Sequence, residues 1–387
     1  MKILFTVCGV GLGHAVRSSV LIKELAKEHE VFVTSYGQGY DYLKGTILGN
    51  GKVAAQQLQW FELKFDESRF LKAQTFLQNI SKLPSVAASN FVKMVKFVRA
   101  FEPDVIISDF DVNGVYVGLL FNIPVITISN MHLMKYAKPS LRLKEKIGYY
   151  LTERPILDMF AGTKHFLIPG LVKPHTNEKN VHFFHPLFRG AVLKLKPRKG
   201  KHFLAYGSDA MVDSIIALLP LFPDKQFIVY GKNKTAKKGN VHFKRFSEEG
   251  FLNDLAGCQA VLCHGGTTLI SEALLLGKPV YISTPIDFFE RYFNGLLVQG
   301  LGCGEIYPEP TKETLYWFLG HVDGYARAIR KLKLRPGNPA LLRELNKILE
   351  QEKQKGKWPQ RIPETLKEIR ERLKEKYQQL NQQLLHG

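Results

Sequence analysis

The chain has 387 residues, 45% of them apolar and 23% charged. That predicts a folded protein of two domains or three, and excludes disorder throughout. The 54 Lys and Arg against 35 Asp and Glu leave a net +19, which favours anionic partners: phosphorylated substrates, an anionic membrane surface or nucleic acid.

Residues 3–7 form a short apolar run that predicts a strand. Gly9, Gly11 and Gly13 follow it too soon for a signal peptide. No stretch approaches the roughly 18 apolar residues of a membrane-spanning helix, so a cytoplasmic protein is expected. Val16, Val20, Ile22, Leu25 and Ala26 recur at helical spacing, and 30–34 reads as the next strand. Strand, helix and strand within about 30 residues make a βαβ unit, hence a parallel sheet. A helix is expected over 68–100, broken at Pro84. Residues 105–109 read as a buried strand, 114–121 as a helix and 123–128 as a strand. Lys194, Lys196, Pro197, Arg198 and Lys199 mark 190–200 as a linker. The same grammar then restarts, with strands at 202–206, 227–230, 260–263 and 279–283 and helices at 211–219 and 268–276. The expected fold class is therefore α/β. Two tandem Rossmann-like, doubly wound domains (1–189 and 201–324) would flank the linker and enclose a cleft, followed by a basic helical tail over 325–387.

The charge is uneven. Residues 131–200 carry 14 basic and 4 acidic side chains, a net +10, and 325–387 carry 16 and 7, a net +9. These two regions hold the whole excess. The four cysteines (Cys8, Cys258, Cys263 and Cys303) form no C-x-x-C pair. They are expected as reduced, buried thiols.

Three motifs carry chemistry. In C-G-V-G-L-G-H-A-V-R-S (8–18), a dinucleotide fingerprint would need Gly or Ala where His14 stands. Gly11, Gly13 and Arg17 are expected instead in an acceptor or phosphate loop opening a helix. His14 falls at the carboxyl edge of the sheet, where open α/β folds place their sites. The bland alternative is a glycine turn with an incidental histidine. In P-D-V-I-I-S-D-F-D (103–111), Asp109 ends a strand on that same edge and could orient an imidazole. It could equally be a strand-end cap. D-F-D also spells a metal–nucleotide motif of another transferase fold, but three residues do not carry a metal site, and none is expected. The third motif, C-H-G-G-T-T-L-I-S-E-A-L-L-L-G-K-P (263–279), is the most specific. A strand ends in His-Gly-Gly and a helix begins at once, so free N–H groups would face a diphosphate. Thr267 and Thr268 add hydroxyls. Glu272 shares a helix face with Thr268 and suits a ribose diol.

On these residues the chain resembles GT-B glycosyltransferases, both the UDP-glucuronosyl and plant UDP-glycosyltransferase group and the bacterial peptidoglycan N-acetylglucosaminyltransferase. G-L-G-H-A-V-R-S is closest to a prokaryotic branch with a G-H-x-x-R-S start. The resemblance covers roughly 1–45, 100–130 and 200–305. It implies His14 as catalytic base, supported by Asp109. It implies donor contacts from Gly207 and Ser208, from Phe246 on the base, from His264, Gly265, Gly266, Thr267 and Thr268 on the diphosphate, and from Glu272 on the ribose. Glu290 and Arg291 align with the pair that reads the donor sugar. There Arg291 replaces the usual glutamine and the loop is one residue longer, so an acidic sugar and a lid contact with Asp287 both stay open. The activity implied is an inverting transfer from a nucleotide sugar, UDP-sugar first, to an acceptor hydroxyl, with no cofactor and no metal.

The acceptor lies beyond the resemblance. Residues 131–151 mix Met131, Leu133, Leu141, Leu143, Ile147, Tyr149, Tyr150 and Leu151 with lysine and arginine. That is the composition of a surface lying on an anionic membrane. A lipid or lipid-linked acceptor and a peripheral place on the inner face of a membrane are expected. No nucleic-acid fold signature accompanies the charge. A sugar-nucleotide epimerase or hydrolase of the same fold and a non-catalytic anion- or membrane-binding protein are the competing readings.

Overall fold

The computed structural model describes residues 1–47, 53–59, 65–66, 69–70, 83–139, 141–207, 213–355 and 375. The first sheet holds β1 (Lys2–Val7), β2 (Glu30–Ser35), β3 (Val53–Gln57), β4 (Val105–Asp109), β5 (Val125–Ile128), β6 (His165–Pro169) and β7 (Val181–Phe184). Their order is β3-β2-β1-β4-β5-β6-β7, with every pair parallel. The second holds β8 (His202–Tyr206), β9 (Gln226–Tyr230), β10 (Ala236–Lys238), β11 (Val241–Phe243), β12 (Val261–Cys263), β13 (Val280–Ser283) and β14 (Gly304–Tyr307). Their order is β10-β11-β9-β8-β12-β13-β14, parallel except for β10 on β11. In each sheet the strand order reverses beside the first strand, β1 or β8. The crevice above that reversal is where doubly wound sheets hold ligands. The central strands are apolar on both faces because helices cover both, and all of Val105–Asp109 is buried.

The helices that matter for the cleft are α1 (Gly13–Leu25), α2 (Gly37–Ile47), α3 (Leu83–Phe101), α4 (Val112–Phe121), α5 (Glu248–Gly257), α6 (Thr267–Leu275), α7 (Phe289–Gly300), α8 (Lys312–Leu332) and α9 (Asn338–Gln354). The helix expected from 68 begins later. Arg69–Phe70 pairs with Phe65–Asp66 as a small antiparallel ladder, and Pro84 stands in the first turn of α3, where its missing N–H costs nothing. β3, β6 and β7 in the first sheet and β10, β11 and β14 in the second are additions to the strands read from sequence.

The boundary expected at 324/325 falls inside α8. After it the chain crosses back to the first domain. Asn338 exchanges two 2.9 Å hydrogen bonds with the backbone of Phe188. Leu341, Leu345, Ile348 and Leu349 of α9 are buried in one core with Ile3, Phe5, Ile107 and Ile126. At about 1.5–3 kcal/mol for each buried side chain, this stripe makes α9 part of the first domain's core. All four cysteines are buried free thiols. No described helix is long and apolar enough to cross a membrane.

Candidate active site

β1 delivers the chain to a turn that only glycine allows, since a Cβ on Gly9 would lie 1.7 Å from the Tyr36 carbonyl oxygen. α1 then opens at Gly13 with no side-chain cap. Across the cleft, β12 ends in His264 and Gly265. The latter has φ +95°, and a Cβ there would come 2.8 Å from the Arg291 carbonyl oxygen. α6 opens at Thr267, also without a side-chain cap. A Cβ on Gly13 would sit 3.2 Å from Thr268 Oγ1, so the starts of α1 and α6 meet from opposite domains. Two positive helix ends with orphan N–H groups face the same space, an arrangement that an anion between them relieves.

That space is a cleft of about 320 Å³, lined by both domains. Of the residues expected at the site, Gly11, Gly13, His14, Arg17, Phe246, His264, Gly266, Thr267, Thr268, Glu272, Glu290 and Arg291 line it. Gly265 shapes the turn beneath. Gly207 ends β8 nearby, where the chain passes Gly231 closely. Ser208 lies outside the described residues.

His14 Nδ1 is 2.8 Å from Asp109 Oδ1, and its ring stacks on Phe110 at 5.9 Å. Arg17 Nη2 also lies 2.7 Å from that nitrogen; in the tautomer that directs the Nδ1 proton at the carboxylate, Nε2 keeps its lone pair. Asp109 also accepts from Arg17 Nε at 2.8 Å and Ser18 Oγ at 2.6 Å. Burial alone would raise the Asp109 carboxyl, but Arg17 and His14 outweigh it and hold it well below the usual range. Arg17, expected in an anion loop, is instead buried against Asp109 and Asn130. His14, Arg17 and Ser18 stand at i, i+3 and i+4 on one face of α1, so the spacing contained this signal.

The donor side has internal partners in place. Arg189 grips Glu272 with two bonds, Nε–Oε1 at 2.8 Å and Nη2–Oε2 at 2.9 Å, and reaches Glu248 at 2.9 Å. Burial raises the Glu272 carboxyl, and Arg189 partly opposes it. Asn130 Nδ2 donates to Thr267 Oγ1 at 2.9 Å across the cleft, and Asn294 Nδ2 donates to the same oxygen at 2.9 Å. His264 is pushed down to about 3 by burial and by Arg291, so it is neutral near pH 7. Its Nδ1 is buried with no hydrogen-bond partner among the described residues. Arg291 lies over the Phe288 ring at 5.2 Å. Phe246, half exposed, stands beside Tyr206, Tyr230 and Phe251. Asn130 and Arg189 were missed by sequence reasoning. The first follows a strand end with nothing to mark it, and the second was one of many basic residues before the linker.

A family model described as glycosyl transferase family 1 matches residues 1–322. The chain is 26% identical over 332 residues to an uncharacterized glycosyltransferase of Methanosarcina mazei, covering 79% of this chain and 85% of the relative. Among solved structures it is similar to the calicheamicin glycosyltransferase CalG4, with TM-score 0.63 and 16% identity over 91% of this chain and 98% of that one. It is also similar to the spinosyn rhamnosyltransferase SpnG complexed with thymidine diphosphate, with TM-score 0.58 and 17% identity over 89% and 100%. At these identities the likeness is one of fold.

Proposed function

The chain belongs to glycosyl transferase family 1 and is a nucleotide-sugar-dependent GT-B glycosyltransferase; from that premise we propose that it moves the sugar of a UDP-sugar, with inversion and without a metal, to a hydroxyl of a lipid or lipid-linked acceptor at the cytoplasmic face of a membrane. His14 Nε2 takes the acceptor proton while Asp109 holds the tautomer and stabilises the imidazolium. The acceptor oxygen attacks the anomeric carbon from the face opposite the diphosphate. The bond between that carbon and the diphosphate oxygen breaks, and its electron pair leaves with the nucleotide. The ends of α1 and α6, Thr268, Arg291 and a neutral His264 N–H receive the developing charge. Glu272 takes the ribose diol in place of Arg189, and Phe246 stacks on the base.

One observation carries this reading: His14 of one domain, backed by Asp109, and the uncapped start of α6 in the other line a single cleft. Uracil rests on the resemblance alone. SpnG, of the same fold, is complexed with thymidine diphosphate, so the test includes both pyrimidines. The melting temperature of the pure protein is measured against nucleoside diphosphates and their sugar conjugates, with EDTA present. UDP and one UDP-sugar are expected to stabilise it, by about 2.7 kcal/mol at 100 times Kd, and Glu272→Ala to abolish the shift. Stabilisation by thymidine diphosphate alone would replace uracil with thymine. No shift with any nucleotide would overturn the donor assignment.

A further inference from the structure

A helical segment over 143–158 crosses the outside of the first domain. It runs as α-helix Leu143–Gly148, a π-turn Tyr149–Glu153 and α-helix Arg154–Asp158. Its two faces differ sharply. At about 100° per residue, Leu143, Ile147, Tyr150 and Leu151 share one stripe, with Lys144 and Lys146 at its two edges and Glu145 and Tyr149 opposite. The inner face is fixed. Glu145 Oε1 accepts from Tyr292 Oη at 2.8 Å, and the Tyr149 ring lies 5.6 Å from that of Phe289. Tyr149 and Leu157 enter a core with Met131, Met134, Phe289 and Phe293. The outer stripe is bare: Leu143 is 75% exposed, Leu151 73%, Tyr150 61% and Ile147 51%. Lys144 and Lys146 are exposed beside it and have no ion pair among the described residues. Of the three acids of the segment, Glu145 is engaged by Arg142 and Asp158 by Lys135 and Arg154, and Glu153, half-buried near the Lys146 edge, accepts from Thr152 Oγ1 at 3.2 Å.

Four large apolar side chains at helical spacing, each more than half exposed and edged by lysines without an ion pair among the described residues, add little to the fold they sit on. Apolar area with positive charge in excess along its edges matches a surface that is negative outside and apolar beneath. A second copy of this basic chain would bring lysine against lysine. We infer that the Leu143–Ile147–Leu151 stripe and its flanking lysines are the element by which this protein docks on an anionic lipid bilayer. The inference rests on the lipid-acceptor reading and deepens it. The same helix packs through Tyr149 and Glu145 on α7, whose first turn carries Glu290 and Arg291 at the cleft. A bilayer under the stripe would therefore lie one helix diameter, roughly 10 Å, from α7.

The test is co-sedimentation of the full chain with vesicles of mixed phosphatidylglycerol and phosphatidylcholine, and with pure phosphatidylcholine. Binding to the anionic vesicles, weakened by salt, is expected. The triple change Leu143→Ser, Ile147→Ser, Leu151→Ser should lower partition at least tenfold. Lys144→Gln with Lys146→Gln should lower it about 25-fold, roughly fivefold for each lysine near the surface. Neither variant touches the cleft, so the nucleotide-induced melting shift is measured on both. A shift that persists while vesicle binding is lost supports the docking element and shows the protein folded. Wild-type protein that shifts with nucleotide but ignores anionic vesicles overturns the docking element and leaves the transferase standing. Vesicle binding without any nucleotide shift does the reverse. A triple variant that sediments with vesicles as wild type does, but loses a dimer seen in the wild type, assigns the stripe to a second copy and overturns the proposal.

Discussion

On the first domain's side of the cleft, Asp109 is bonded by His14, Arg17 and Ser18, all from one face of α1. On the second domain's side, Glu272 is held by Arg189, Thr267 receives Asn130 and Asn294, and His264 Nδ1 has no partner among the described residues. The first arrangement is complete without substrate: every buried charge is satisfied and the imidazole is already aimed. The second is satisfied by groups that the proposed function has a ligand replace, a ribose diol standing where Arg189 stands. The difference separates the two tasks of a transferase. A base works best when its orientation is fixed before the reaction, whereas a donor site must bind and release at every turnover.

The largest effect expected is at the fixed side. His14→Ala should lower transfer by about 10²–10⁴-fold, the usual worth of a general base, while the nucleotide-induced melting shift stays at the wild-type value. A variant that also lost nucleotide binding would break the separation of tasks. Glu272→Gln tests the exchangeable side. It should weaken nucleotide binding by about 10–100-fold through a lost charge-assisted bond. It should also lower the stability of the unliganded protein by about 1–2 kcal/mol, because Arg189 loses its charged buried partner while keeping Glu248. Chemical denaturation with and without nucleotide reads both. Loss of binding with unchanged stability would mean that the Arg189 pair carries nothing in the resting protein.

How far the sequence carried the argument follows the same division. His14, Asp109 and the run 263–268 were legible because each lies within a few residues of a strand end, and strand ends of a parallel sheet share an edge. The Arg189–Glu272 grip joins residues 83 apart in the chain, across a domain boundary, with no periodicity to betray it. The stripe of α9 was visible as apolar spacing. That it lands among Ile3, Phe5 and Ile107, more than 230 residues upstream, is a long-range packing fact that local pattern does not contain. Arg17 was assigned to an anion loop because it is basic and near glycines. Its i+3 relation to His14 was the better guide.

Asn130 is where the two sides touch. Its Oδ1 accepts from Arg17 and its Nδ2 donates to Thr267, so it links the partner of the base to the start of α6. Asn130→Ala should leave the His14–Asp109 contact intact and remove one bond across the cleft, a loss of about 1–2 kcal/mol. The expected result is a fall of roughly tenfold in kcat/KM, with the acceptor pH profile unchanged, measured by steady-state kinetics. A displaced pH profile would instead make Asn130 part of the base's own environment.

The smallest effect compares two histidines, one on each side. His132 is fully buried among Phe110, Phe160 and Phe166, and burial pushes it down to about 3. His264, on the cleft wall, is pushed down to about 3 as well. In the unfolded chain both bind a proton near pH 6.5. Between pH 6.5 and 3 the unfolded state therefore holds more protons, so each neutral histidine contributes stability above that window that is lost as pH falls through it. At pH 5.5 the loss is about 1.4 kcal/mol for each. A bound diphosphate gives His264 a reason to accept its proton and cannot reach His132. Saturating nucleotide should thus flatten one part of the decline in melting temperature between pH 7 and 5.5, and His132→Leu a similar part, while His29, His165, His185 and His202, which burial also lowers, keep the remainder. A nucleotide that leaves the slope unchanged would place His264 away from the diphosphate and confine the exchangeable side of the cleft to Glu272 and the first turn of α6.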